Sequence, residues 1–151
     1  MLLVVKVSGN ELTVYRDTLL AIMGHILVSQ YSEEALDILA EWQHRKAREA
    51  WKKIAESTGR SDPEYLFCLF SNEVHEFEVI RKNKHALEVK VTRCAHAVTF
   101  RRLNAAKIGQ KIICDGDTAV TEGFNPKIKL ARPKLLMAGD DCCHFIWKLK
   151  E

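Results

Sequence analysis

The sequence predicts a single α+β domain, an antiparallel sheet of about four strands with helices packed on one face. Three observations lead there. Apolar residues recur at helical spacing through the first sixty positions. From about residue 77 the period falls to two. A further helical stretch then separates two runs of alternation, so the order is helices, hairpin, helix, hairpin. A length of 151 residues suits one domain, with a helical part at about 11–71 and a sheet-and-helix part at about 73–150.

Met1 to Val7 reads as a short strand or a frayed arm, closed by Ser8-Gly9-Asn10. Glu11 to Gln30 reads as a helix whose apolar stripe is Leu12, Tyr15, Leu19, Ile22, Met23 and Ile26. Ser32 is the N-cap of a second helix, with Glu33 and Glu34 in its first turn and Gly59 as its stop. Leu36, Leu39, Trp42, Ala47, Ala50, Trp51 and Ile54 form its apolar stripe. Asp62-Pro63 starts a short helix that runs to Phe70 and holds Cys68 in the core. Phe77 and Val79, a turn at Lys82-Asn83-Lys84, then Leu87, Val89 and Val91 make a hairpin with one buried face. Asn104 caps a helix that reaches Glu122 and stops at Gly123. Lys127 to Leu130 and Cys143 to Leu149 are the last strands, turning at Gly139-Asp140.

Composition narrows the function. The chain is 47% hydrophobic and 28% charged, which excludes disordered and fibrous classes. A net charge of +3 does not point to nucleic acid. The basic face Arg45, Lys46, Arg48, Lys52 and Lys53 is interleaved with Glu41, Glu49 and Glu56 and reads as solvated. The longest apolar run, Leu19 to Val28, is too short to span a bilayer. No basic residue precedes the apolar start, so no secretion signal is expected. Five cysteines, an odd number, read as free thiols in a reducing cytoplasm.

The polar chemistry collects in the last third. On a regular helix Cys114 falls opposite the arc of Ala105, Ile108, Ile112, Ile113, Gly116, Ala119 and Val120, with Asp117 at the border. Cys114 therefore faces a second packing surface or lines a site. Asp140-Asp141-Cys142-Cys143-His144 is the densest cluster. On a strand, Cys142 and His144 share one face, and Cys143 shares the other with Phe145 and Trp147. Cys94-x-His96 and Cys142-x-His144 supply four zinc ligands only if the fold joins them; without a Cys-x-x-Cys pair, zinc is the minor reading and no cofactor is expected. Plain structural roles stand beside these: Asp140 capping a turn, Cys142 or Cys143 as core thiols, and Arg132 guarding a sheet edge.

Ile113-Cys114-x-x-Asp117, Glu122-Gly123-Phe124-Asn125-Pro126, Leu130-x-Arg132 and Leu136-x-x-Gly139-Asp140-Asp141-Cys142-Cys143-His144-Phe145 together resemble the L-2-amino-thiazoline-4-carboxylic acid hydrolase-like family. The resemblance covers roughly Cys94 to Trp147. It implies hydrolysis of a cyclic amidine by addition of water at the amidine carbon. Such chemistry needs a nucleophile, a carboxylate for the amidinium and a proton donor. Cys114 or Cys142 is a candidate nucleophile, or Asp117 or Asp140 activates water. Asp117 and Asp140 are also the candidates for amidine binding, and His144 for the proton shuttle. Arg132 or Arg101 is placed to clamp a substrate carboxylate, and Cys94, Phe124 and Asn125 complete the substrate-binding set.

The competing readings are a non-enzymatic small-molecule-binding or sensor domain and a Cys/His metal-binding protein. A small-molecule substrate is the expected partner, without nucleic acid or membrane. Trp42, Trp51 and the first helix bury their faces either internally or in a homodimer, and a small pocket that needs a second subunit to close it favours the homodimer.

Overall fold

The structure, a computed structural model, describes residues 7–150. The strand or arm read at the N-terminus lies, except for Val7, outside the described residues. Two long helices come first, α1 (Gly9–Gln30) and α2 (Glu33–Thr58). Ser8 and Glu11 cap α1 reciprocally, each side chain meeting the other's backbone N–H. Ser32 accepts the Ala35 N–H at the start of α2, and Gly59 ends it at φ 63°, a conformation that favours glycine. A 3₁₀ turn, Pro63–Leu69, comes next, with Pro63 at its start. Cys68 on it is exposed, not in the core.

Strands β1 (His75–Lys82) and β2 (Ala86–Cys94) form the predicted hairpin. Strands β3 (Ile128–Ala131) and β4 (Cys143–Leu149) complete an antiparallel sheet of order β1-β2-β4-β3. The connection from β3 to β4 is longer than a tight turn and carries a 3₁₀ turn, Leu136–Ala138, ending at Gly139. β1 is an edge strand with a register shift between Val79 and Arg81, which leaves Val79 exposed where the alternation predicted burial.

Helix α3 (Ala95–Arg102) comes directly after β2. The sequence did not reveal it, because its start has no side-chain cap and it is short. The helix read from Asn104 to Glu122 is α4 (Ala106–Gly109), a π turn at Gln110–Cys114, and α5 (Gly116–Phe124). It does not stop at Gly123, which lies inside α5. A Cβ there would overlap the Arg48 carbonyl oxygen, so Gly123 lets α5 lie directly on α2.

Two cores result. One is helical, around Ala21, Leu36, Phe100, Ile108, Ile112 and Met137. The other lies against one sheet face, around Leu66, Leu87, Val89, Val91, Phe124 and Trp147. Leu87 pairs with Trp147 across β2 and β4, Val89 with Phe145, and Val91 with Cys143, so the covered face is the Cys143 face. Each fully buried large side chain contributes about 1.5–3 kcal/mol. The stripe assigned to α1 does not enter either core. Leu12, Tyr15, Leu19, Ile22, Met23 and Ile26 are exposed, and the inward face is Asp17, Ala21 and Gly24. Trp42 on α2 is exposed as well.

Candidate functional site

A cavity of about 280 Å³ opens where the two cores meet. Phe70, Val91, Phe145 and Trp147 form its apolar sheet side, and Ile112 and Val120 its helical side. The Trp147 ring is fixed by its Nε1–H, which donates to the Thr121 hydroxyl at 2.9 Å. Polar groups enter from two directions.

From one side come α1 and α3. His96 lies in the first turn of α3, and its Nδ1 meets the Asp17 Oδ2 at 2.5 Å. The other oxygen of Asp17 accepts from Arg16 Nε at 3.1 Å and Nη2 at 2.9 Å. Asp17 is fully buried. The same Nδ1 of His96 lies 3.3 Å from Arg16 Nη2; in the tautomer that donates from Nδ1 to Asp17, Nε2 is the acceptor. His96 and Arg16 both line the cavity. The His75 ring lies tilted at 54° to that of His96, ring centroids 6.0 Å apart. Burial, helped by the nearby His96, pushes His75 down to about 4, so it is neutral at pH 7. His44 is half-buried on the cavity wall, its Nε2 without a hydrogen-bond partner among the described residues.

From the other side comes the π turn. The Asp115 N–H bonds the Gln110 carbonyl five residues back, at 2.9 Å. The extra residue rotates α5 away from the position a regular helix would give it. Cys114 and Asp117 therefore reach the same cavity as Ile112 and Ile113, although a regular helix would set Cys114 opposite them. Arg132, just past β3, donates from Nη1 to the Cys114 carbonyl at 2.5 Å and to Asp117 Oδ2 at 3.1 Å. Burial pushes the Asp117 carboxyl up to about 6, against the opposing pull of Arg132 and His96.

Three thiols surround this carboxylate. Cys94, Cys114 and Cys143 line the cavity. Burial raises all three, Cys143 to about 11 and Cys114 further still, with Asp117 adding to the rise at Cys114. Such thiols hold almost no thiolate at neutral pH. Among the described residues, no three His, Cys, Asp or Glu side chains converge closely enough to hold a metal ion.

The cavity thus gathers Cys94, Cys114 and Asp117 of the sequence-derived set, with Arg132 directly behind Asp117. Cys142, Asp140, His144, Arg101, Phe124 and Asn125 do not line it. Strand alternation separates His144 from the site: it pairs with Lys90 and contacts Glu88 Oε1 at 2.9 Å on the opposite sheet face. Asp140 accepts the Leu135 N–H at 2.7 Å and so closes the loop before β4. Cys142 is packed and buried just before that strand, away from the cavity. Arg101 donates to the Leu136 carbonyl. Phe124 stacks on Tyr65 in the sheet core, and Asn125 bonds the Ser61 carbonyl. The proposed zinc set is split in the same way, Cys94 and His96 at the cavity and Cys142 and His144 away from it.

Arg16, Asp17, His44 and His75 are absent from the sequence-derived set. The only signal for Asp17 was its helical spacing with the small residues Ala21 and Gly24, a face on which another helix can approach closely.

The family model described as L-2-amino-thiazoline-4-carboxylic acid hydrolase matches residues 15–147. The likeness therefore takes in the N-terminal helices, well beyond the Cys94–Trp147 stretch that carried the resemblance in sequence. No curated protein sequence matches the chain. Among solved structures, the phenol-responsive sensory domain of the transcription activator PoxR, with phenol, superposes with a TM-score of 0.56 and 13% identity. That match covers 91% of this chain and 74% of that one. A trafficking protein particle complex subunit 3 from Naegleria fowleri, covalently bound to palmitic acid, superposes with a TM-score of 0.47 and 15% identity. It covers 91% of this chain and 96% of that one. The likeness to the sensory domain is one of fold. No helix of the described residues is long and apolar enough to cross a membrane.

Proposed function

The chain belongs to the L-2-amino-thiazoline-4-carboxylic acid hydrolase family, and from that premise we propose that its cavity binds a small cyclic amidine and hydrolyses it with water activated by His96. The observation that carries this is the Asp17–His96 pair at 2.5 Å, with His96 on the wall of the same cavity as Asp117. Asp17 orients the imidazole and stabilises its protonated form, leaving Nε2 to take a proton from water. Asp117 accepts the N–H groups of the amidinium. A cation bound there favours the ionised carboxylate and opposes the rise that burial imposes.

With a 2-aminothiazoline carboxylate, the water oxygen bonds to C2 and His96 receives its proton. The C2=N electron pair moves to the ring nitrogen, which already carries its proton in the amidinium. The C2–S bond then breaks as the C2 hydroxyl becomes the carbonyl and gives its proton to Asp117; the sulfur leaves with the electron pair and takes the proton from His96. The product is the N-carbamoyl amino thiol, one water heavier than the substrate. Arg16, half exposed at the cavity, spends Nε and Nη2 on Asp17 and keeps Nη1 to take the ring carboxylate, whereas Arg101 and Arg132 do not line the cavity.

The raised thiols favour attack by water over attack by Cys114. The other reading, a binding or sensor domain that turns nothing over, is favoured by the aromatic wall of Phe70, Phe145 and Trp147. The test is product mass spectrometry after incubation with L-2-amino-thiazoline-4-carboxylate. We expect a gain of one water, lost in His96→Gln by ~10²–10⁴-fold in rate and retained in Cys114→Ala and Cys142→Ala. No gain with the wild-type protein sinks the hydrolase reading. A gain that survives His96→Gln but not Cys114→Ala replaces the water mechanism with a covalent one.

A further inference from the structure

On α1 the large side chains Leu12, Tyr15, Leu19, Ile22 and Ile26 succeed one another at intervals of three, four, three and four residues. That is the spacing of the a and d positions of two heptads. In the folded chain these five and Met23 are 44–65% exposed. The opposite face of the helix, Asp17, Ala21 and Gly24, is already buried against the domain. Helix α1 thus has one face packed on its own domain and a second, apolar face with the pattern of a helix–helix seam. Among the described residues, one subunit covers only the first.

We propose that a second copy of this chain covers the other face, α1 packing against α1 along the seam from Leu12 to Ile26. The exposed side-chain area of the six residues comes to roughly 600 Å², the top of the range for a patch on a monomer. It is most of the ~800 Å² that each partner gives to a standard interface. The seam is one continuous stripe on a single element, so it is self-complementary about a two-fold axis, as a symmetric dimer requires. A membrane surface is the weaker match: the acidic and basic residues of α1 are Glu11, Arg16 and Asp17, and the run of lysines and arginines that holds an amphipathic helix to anionic lipid is missing. Arg16 adjoins Tyr15 on the flank of the seam and also lines the cavity. The neighbouring copy therefore stands beside the cavity's Arg16 side.

Sedimentation velocity from about 1 to 100 µM tests this. The wild-type chain is expected to be a dimer. The double variant Leu19→Lys/Ile22→Lys is expected to weaken association by ~100-fold or more, since it puts charge at the centre of a desolvated seam. Both positions are exposed within one subunit, so the variant should keep its circular dichroism. Ile80→Lys, at an exposed position on the edge strand β1, is expected to leave the dimer intact. A wild-type monomer throughout the range overturns the proposal, including one that co-sediments with phosphatidylserine vesicles. A dimer that survives the double variant, or that Ile80→Lys breaks, overturns it as well.

Discussion

Replacing Asp117 by Asn should stabilise the protein, and only above acidic pH. Burial holds the Asp117 carboxyl at about 6, against an ordinary value of 3.8. Between those values the unfolded chain has released a proton that the folded chain still holds. Folding then becomes less favourable as pH rises from about 4 to 6, and the penalty is complete above that window. Two pH units at about 1.36 kcal/mol each put it near 3 kcal/mol. The side chain keeps 27% of its surface open, towards the cavity, and the screening this permits lowers the figure to about 2–3 kcal/mol. Asn has the shape of the neutral carboxyl and carries no charge. Arg132 is not orphaned by the change, because the Cys114 carbonyl and Asp115 remain beside it. The assay is urea unfolding of both proteins from pH 4 to pH 8, monitored by tryptophan fluorescence and circular dichroism. The two should match near pH 4 and diverge to about 2–3 kcal/mol in favour of Asn at pH 8. A gap that does not widen with pH, or a variant less stable at pH 8, would refute the reasoning. It would mean that the Arg132 pair outweighs the burial of the carboxylate. Turnover should fall in the same variant, so the residue that costs stability is one the proposed chemistry uses.

Packing and burial fix two further outcomes. Gly123→Ala should destabilise by about 1–3 kcal/mol, because the added methyl meets the Arg48 backbone and neither α2 nor α5 can retreat freely; thermal unfolding reads this directly. Alkylation with iodoacetamide at neutral pH, with peptide mapping, should modify the exposed Cys68 first and Cys114 and Cys143 last. A fast-reacting Cys114 would reopen the covalent mechanism.

Much of the scaffold was legible because its signals are local. Ser32 and Gly59 mark the ends of α2 by cap chemistry that needs no tertiary context. Alternation in Leu87, Val89 and Val91 marks a strand buried on one face wherever the chain puts it. The edge strand was less legible, since a register shift at Val79 breaks the period that its burial was read from. The site was partly legible. Cys94, Cys114 and Asp117 were chosen for their chemistry and do share the cavity. The cluster Asp140 to His144 is denser but divides between a loop-closing carboxylate, a packed Cys142, a Cys143 on the cavity wall and an outward-facing histidine.

What the sequence determined by itself is most of the elements, the α+β class and the residues capable of acid, base or thiol chemistry, because periodicity, caps and side-chain type are written locally. Only the tertiary structure decided which of those residues meet. Asp17 and His96 are 79 positions apart and are joined by the packing of α1 on α3. Cys114 and Asp117 face the cavity because one π turn adds a residue to the helix, a choice made by packing on α2 and the sheet, not by propensity. The same holds for α1: its pattern states that it has an apolar face, and the fold decides that this face points away from the domain's own core.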